Sequence, residues 1–117
     1  TRLVDELSKN VTMVVGAEPW SAAHQLREVE RCGVTVMGGV PTQWQAILAA
    51  PELSTTDLST LRLVGTGAAP ATPDLIERIR SAMGCPVITR YTSTEAGITT
   101  GTQPSDSPEV VAHPVGK

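Results

Sequence analysis

Short apolar runs rich in β-branched residues alternate with amphipathic helical patterns, and this alternation constrains the fold more than any other feature of the chain. Each of four such runs predicts a strand, and each follows a segment with helical character. Strands that alternate with helices form parallel sheets with right-handed crossovers. We therefore predict an α/β fold in which a parallel sheet carries flanking helices. The four predicted strands are residues 11–15, 34–37, 62–65 and 86–91.

Residues that favour helix ends separate these elements. Hydroxyl side chains cap helix N-termini, and glycine tolerates the left-handed backbone that ends many helices. Thr42 and Gln45 have the spacing of a capping box, which predicts a helix that begins at Thr42. Residues 1–9 also have a helical pattern and 57–61 predict a short helical turn, whereas the composition of 98–117 predicts mostly irregular structure with a short strand at 110–111. The other predicted caps are Ser21, Gly33, Thr72 and Gly84.

Charge and composition exclude several classes of function. The 117 residues suit one small domain, and a net charge of −3 provides no basic surface for nucleic acid. Cys32 and Cys85 lack the spacing of a zinc site, so we predict two buried free thiols in a cytoplasmic protein. We expect neither a signal peptide nor a membrane span, because no apolar run is long enough.

The two ends of the sequence lie close to predicted structure. The chain begins at Thr1 inside a helical pattern and stops at Lys117 directly after a turn signal. We therefore expect residues 1–117 to be part of one domain of a longer protein. Excision from sequence neighbours exposes sheet edges and apolar faces, so we also expect self-association of the piece.

The loops that follow three of the predicted strands differ from the loops at their other ends. Their sequences are GGVPT at residues 38–42, GTGAAP at 65–70 and YTSTEAG at 91–97, all rich in glycine or hydroxyl groups. The opposite loops are short and plain. Ligands of parallel sheets bind outside the carboxyl ends of the strands. We therefore predict that these three loops form the functional edge.

The segment YTSTE at residues 91–95 has the chemistry of a nucleotide site. A tyrosine ring stacks on a base, hydroxyl groups meet a phosphate, and Glu95 is a hard oxygen ligand for a metal ion. From the pattern alone, GTGAAP favours a plain strand-to-helix turn, and Trp44 favours core packing. His24 and His113 favour surface or structural positions, and no catalytic triad is present.

Five segments in order resemble the adenylate-forming superfamily, which comprises acyl-CoA synthetases, aryl-CoA ligases, luciferases and peptide-synthetase adenylation domains. VTVMGGVPT at residues 34–42 resembles the family's vTv…gvPt, and DLSTLR at 57–62 resembles its dlSsLr. GTGAAP resembles the family's sGgAp loop, YTSTE its YGxTE motif, and the closing PVGK its vGkp. The resemblance implies one subdomain of the N-terminal domain of an acyl-CoA synthetase-like enzyme.

The resemblance also implies roles for individual residues. Tyr91 would stack on the adenine of ATP or of the acyl-adenylate, Thr94 would bind the α-phosphate, and Glu95 would ligate Mg²⁺. The other side of the adenine would be lined by Gly67, Ala68 and Ala69.

One position departs from the family's pattern. The second residue of the YGxTE motif is usually glycine, and here it is Thr92. That position lies by the acyl pocket in relatives, so a β-branched residue should narrow the pocket. Val40, Pro41 and Trp44 are weaker candidates for the pocket wall.

The implied activity is the ATP-dependent activation of a carboxylic acid, first as an acyl-adenylate and then as a thioester of coenzyme A, as in fatty acid metabolism. The family's phosphate loop, ribose-binding aspartate and C-terminal catalytic lysine are expected outside these residues, so the isolated piece should be inactive. Two alternatives stay open: a non-catalytic α/β nucleotide-binding or interaction module, and an adenylation domain with an acceptor other than coenzyme A.

Overall fold

The protein forms an α/β structure around one four-stranded sheet. The computed structural model describes residues 8–16, 18–67, 69–93, 95 and 97–112, with only the backbone of 91–93 and 97–99. The strands follow one another across the sheet in chain order. They are β1 (Val36–Gly39), β2 (Leu63–Gly67), β3 (Val87–Ser93) and β4 (Gly97–Gly101). The first three are parallel and the fourth is antiparallel to β3, so the predicted α/β class is confirmed with one antiparallel edge strand.

Four α-helices and one 3₁₀ helix accompany the sheet in the described residues. The helices are α1 (Ala22–Cys32), α2 (Pro41–Ala49), α3 (Pro73–Met83) and α4 (Pro108–Ala112), and the 3₁₀ helix is Pro51–Thr55. In these parts of the chain, no helix is both long and apolar enough to cross a membrane.

The caps of α1 and α3 are as predicted. The Ser21 hydroxyl accepts from the backbone N–H of His24, and the Thr72 hydroxyl accepts from that of Leu75, each at 3.2 Å. Both helices end in a left-handed glycine, with φ of 61° at Gly33 and 68° at Gly84. Local sequence therefore determines where these two helices begin and end.

The start of α2 corrects one prediction. The helix begins at Pro41 and not after Thr42, because proline is well suited to the first helical position. The side-chain oxygen of Gln43, not of Gln45, accepts from the Val40 N–H at 3.1 Å. The short turn predicted at 57–61 is present, since the Leu61 N–H donates to the Leu58 carbonyl at 3.0 Å and the Asp57 carboxylate accepts from the Ser59 N–H at 3.0 Å. The 3₁₀ helix of this region lies before it, at Pro51–Thr55.

The strand predicted at residues 11–15 is absent, and the chain there is irregular and exposed. Its β-branched residues favour a strand, but strand propensity needs a partner, and no described strand pairs with it. The helix predicted for residues 1–9 lies mostly outside the described residues. Its last two residues, Ser8 and Lys9, are described and are helical. The other three strands lie one to two residues later than predicted and run further at their carboxyl ends.

The C-terminal segment is more regular than predicted. Residues 98–112 contain most of β4 and all of α4, and the strand predicted at 110–111 lies inside that helix. Helix α4 is anchored to the sheet because the buried Thr89 hydroxyl donates to the Val111 carbonyl at 2.7 Å. Residues 113–117, with His113 and the PVGK motif, lie outside the described residues.

The core lies on one face of the sheet, between the strands and the helices. Strand residues Met37, Val64 and Val87 are in register and share this face. They pack in one cluster with helix residues that include Trp44 and Ile76, both fully buried. Ile88 and the half-exposed Val36 belong to the opposite face and lie outside this cluster.

The two cysteines differ from each other. Cys85 is buried, and burial raises the pKa of its thiol, which suits an unreactive packing role. Cys32 is exposed at the end of α1, so its prediction as a buried thiol is wrong.

Candidate functional site at the carboxyl edge of the sheet

The carboxyl ends of β1, β2 and β3 lie at the same edge of the sheet, because these strands are parallel and adjacent. Gly39 pairs with Thr66, and Gly67 pairs with Arg90, so the last residues of the three strands are neighbours. The glycine- and hydroxyl-rich loops therefore leave the sheet side by side. This arrangement brings together the three loops that the sequence pattern assigned to one edge.

Gly67 lies at a close approach between two strands. A Cβ at this position would lie 3.1 Å from the backbone oxygen of Arg90, which is tighter than ordinary contact. A Cβ at Gly65 would meet its nearest neighbours at 3.8 Å, which is ordinary contact. Glycine at 67 thus satisfies the packing of β2 against β3 and also keeps the end of β2 free of side-chain atoms.

Trp44 connects the first loop to the second strand. Its indole ring is fully buried, which confirms core packing, and its Nε1–H donates to the carbonyl of Gly65 at 3.2 Å. A Cβ at Gly39 would lie 3.3 Å from the same nitrogen. The glycine-rich end of β1 therefore accommodates the indole, a relation that the sequence analysis missed.

Two of the weaker pocket candidates, Val40 and Pro41, lie at the start of α2. Pro41 is buried and Val40 is half-buried. The Val40 N–H is already occupied by the Gln43 side chain. Of the two, Val40 therefore offers more side-chain surface to a ligand.

Strands β3 and β4 form a hairpin whose turn carries Glu95, the predicted metal ligand. Tyr91 and Thr92 belong to β3, and Glu95 lies in the turn with an exposed side chain. Pairing shifts between Tyr91 and Thr92, so that Tyr91 opposes Thr100 while Thr92 opposes Ile98. Bulges of this kind re-aim side chains and are frequent next to active sites.

Two predicted site residues, Ala68 and Thr94, lie outside the described residues. Ala69 is exposed directly after β2. The hairpin itself was missed, although β-branched residues between Gly97 and Gly101 are a strand signal that could have found it.

Among the described residues, no group of three or more His, Cys, Asp or Glu side chains could hold a metal ion. Glu95, which is exposed, therefore belongs to no such group. A lone exposed carboxylate fits Mg²⁺ in a nucleotide complex, because this ion keeps several waters and takes further oxygens from phosphates.

Thr66 and His24 complete the polar inventory near the sheet and α1. The Thr66 hydroxyl is buried one residue before Gly67 and has no hydrogen-bond partner among the residues that the structure describes. His24 lies on α1 with its Nε2 3.8 Å from a Glu28 carboxylate oxygen, as expected of a surface or structural histidine.

Comparison with known proteins decides the family. The model of the AMP-binding enzyme family matches residues 7–117. The chain belongs to the AMP-binding enzyme family. The resemblance found in the sequence is thereby confirmed over nearly the whole chain.

The curated relatives of this family member are CoA ligases and synthases. A methyl-dioxo-octahydroindenyl-propanoyl:CoA ligase of Mycobacterium tuberculosis is 40% identical over 96 residues, which cover 80% of this chain and 19% of that protein. A feruloyl-CoA synthase of Amycolatopsis is 42% identical over 71 residues, covering 61% of this chain and 14% of that protein. The chain thus spans about a fifth of the length of the ligase it matches.

Solved structures support the same fold. The amide bond synthetase McbA from Marinactinospora thermotolerans has a TM-score of 0.73 at 29% identity, with 81% of this chain and 20% of that chain covered. A benzoate CoA ligase from Burkholderia xenovorans has a TM-score of 0.76 at 24% identity, with 84% and 20% covered. The sheet with its flanking helices is therefore the fold that the AMP-binding family uses at this place.

We expect that Gly67→Ala destabilises this AMP-binding fold while Gly65→Ala does not. The new methyl group at 67 would press on the Arg90 carbonyl at 3.1 Å, whereas the one at 65 would be in ordinary contact. Overpacking of this kind costs about 1–3 kcal/mol. Chemical denaturation of both variants measures the difference, and equal midpoints would contradict the close approach.

Proposed function

We propose that this chain is part of an ATP-dependent acyl-CoA ligase that activates a carboxylic acid as an acyl-adenylate and then as a thioester. One observation carries the proposal above all. The motif that resembles YGxTE ends β3 and enters the hairpin turn, next in the sheet to Gly67 at the end of β2. Family membership supports the use of a nucleotide at this edge.

The proposed chemistry consists of two displacements. An oxygen of the acid's carboxylate attacks the α-phosphorus of ATP, and pyrophosphate leaves with the electrons of the broken P–O bond. The thiolate of coenzyme A then attacks the acyl carbonyl, and AMP leaves. Both steps depend mainly on positioning and on neutralising charge.

The residues of this chain act by binding and orienting in that scheme. Tyr91 stacks on the adenine, the glycine end of β2 with Ala68 and Ala69 admits its other face, and Thr94 donates to the α-phosphate. Glu95 holds Mg²⁺, which neutralises phosphate charge when bound.

A second candidate function keeps the adenylate and changes the acceptor. The structural relative at 29% identity is an amide bond synthetase, so an amine is a specific alternative to the thiol of coenzyme A. Product analysis with coenzyme A and with amines separates the two.

The first experiment is acid-dependent exchange between ATP and labelled pyrophosphate. We expect exchange from the longer protein and none from the isolated 117 residues, because the chain covers 19% of the ligase it matches. In the longer protein, Glu95→Gln should lower the exchange rate about 100-fold, the scale of losing one group that stabilises transition-state charge.

Glu77→Gln serves as the matched control, since Glu77 is exposed on α3 and belongs to no proposed site. Robust exchange by the isolated chain would contradict its proposed dependence on the rest of the ligase. An active Glu95→Gln variant with unchanged Mg²⁺ dependence would contradict the metal role.

We further propose that Thr92 narrows the acyl pocket. Replacing Thr92 by glycine, the residue usual in the family, removes a β-branched side chain next to the pairing shift in β3. The variant should shift preference toward bulkier acids, by about ten-fold or more, since a methylene is worth 10–200-fold in such pockets. The measurement is kcat/KM for a series of acids of increasing size; an unchanged ranking would contradict the role.

We also propose that the isolated chain self-associates through its exposed apolar residues. Val15 is 75% exposed and Val36 is 48% exposed, and both are more exposed than apolar side chains usually are. Light scattering should show species larger than a monomer at high concentration, and Val36→Lys should reduce them. A strict monomer would contradict the proposal. The other exposed large apolar residues are Val11, Met13, Val14 and Trp20.

A further inference from the structure

Arg90 is an exposed cation that has no partner in the described part of the protein. It lies near the end of β3, directly before Tyr91. Its guanidinium makes no ion pair or hydrogen bond with the described residues, although the chain has 12 acidic side chains. The sequence pattern predicted a strand at this residue and indicated no functional role for it.

Both strands beside Arg90 present glycine to it. Arg90 pairs with Gly67 on β2 and with Gly101 on β4. Its Cγ would lie 3.3 Å from a Cβ at Gly101, so the stem of the side chain runs against that glycine. Among these three paired residues on β2, β3 and β4, only Arg90 therefore has a side chain.

Strand packing leaves little room for a Cβ atom at either glycine. A Cβ at Gly67 would meet the Arg90 carbonyl at 3.1 Å, and one at Gly101 would meet the Thr89 carbonyl at 3.3 Å. Neither of the two residues paired with Arg90 can thus supply a carboxylate beside the guanidinium. The pairing leaves this fork of donors available to a ligand.

The position of Arg90 argues against a role at the phosphates. Ser93, the last residue of β3, lies three positions along the strand from Arg90. At the rise of a strand, that is about 10 Å. Glu95, the proposed metal residue, lies in the turn beyond that point, so Arg90 is set back from it along the strand.

We propose that Arg90 determines substrate specificity by binding an oxygen acceptor that the acid carries in addition to its reacting carboxylate, with a second carboxylate as the strongest ligand. Guanidinium binds carboxylate through two parallel hydrogen bonds, which gives direction as well as strength. This inference rests on the proposed acyl-activating function. It adds a substrate class, namely oxygen-bearing or dicarboxylic acids.

The test uses the longer ligase that carries this chain and two matched pairs of acids. The pairs are octanoate with octanedioate, and phenylpropanoate with carboxyphenylpropanoate. Arg90→Gln should lower kcat/KM for the second member of each pair by about 10- to 100-fold, the range of a lost charged hydrogen bond. The values for the first members, and the KM for ATP and for coenzyme A, should change less than about two-fold by the same reasoning.

Arg62→Gln is the matched control. Arg62 is exposed directly before β2, at the other end of the strands. The Arg62→Gln variant should leave kcat/KM for all four acids unchanged. Thermal unfolding of each variant checks that the fold is retained, and if Arg90→Gln fails to fold, Arg90→Lys takes its place, because it keeps the charge and loses the fork.

The outcomes separate the inference from the function on which it rests. The role of Arg90 would be overturned, with the ligase still active, if Arg90→Gln lowered kcat/KM equally for both acids of a pair or left it unchanged. A raised KM for ATP or coenzyme A would also overturn it. Absence of acid-dependent exchange with any acid would overturn the proposed function and the inference together.

Discussion

The hydrogen bond from the Trp44 indole to the Gly65 carbonyl is the contact on which the functional edge depends. It joins the first turns of α2 to the middle of β2 at 3.2 Å, across 21 residues of sequence. The ring is fully buried, so breaking the bond would leave the buried indole N–H unpaired, at about 1–3 kcal/mol. The loop after β1 is thereby held at a defined distance from the loop after β2.

The same edge is built from backbone geometry rather than from large side chains. The absence of a side chain at Gly39 accommodates the indole, and its absence at Gly67 lets β2 approach β3 closely. Strand β4 then returns antiparallel and closes the hairpin that carries Glu95. The parallel strands bring the three loops to one edge of the sheet, and glycine permits the close approaches there.

The distribution of charge along β3 follows from this arrangement. Thr89 points into the core and is satisfied by Thr102 and Val111, whereas Arg90, on the other face, is exposed between two glycines. The strand thus places on adjacent residues a hydroxyl that is hydrogen-bonded and a guanidinium that has no partner among the described residues. That alternation is a property of strand geometry, because successive side chains of a strand point to opposite faces of the sheet.

Local signals account for the parts of the fold that could be predicted. Ser21, Gly33, Thr72 and Gly84 act within one turn of the backbone, so their roles as caps depend little on the rest of the protein. The order of strands and helices likewise predicted the three parallel strands, but not the antiparallel β4. The resemblance of four motif segments and a closing one, together with their order, was sufficient to predict the family.

Tertiary structure decided what depends on a partner distant in sequence. The β-branched run at 11–15 forms no strand because no described strand pairs with it, while the Thr-rich segment after Gly97 does form one because β3 lies beside it. The shifted pairing at Tyr91, the Trp44 tether and the isolation of Arg90 between two glycines likewise arise only from the pairing of strands. By itself, the sequence determined the helix ends, the family and the chemistry available at the strand ends; only the sheet decided which of those groups became neighbours, because register and close approach are set by contacts between distant residues.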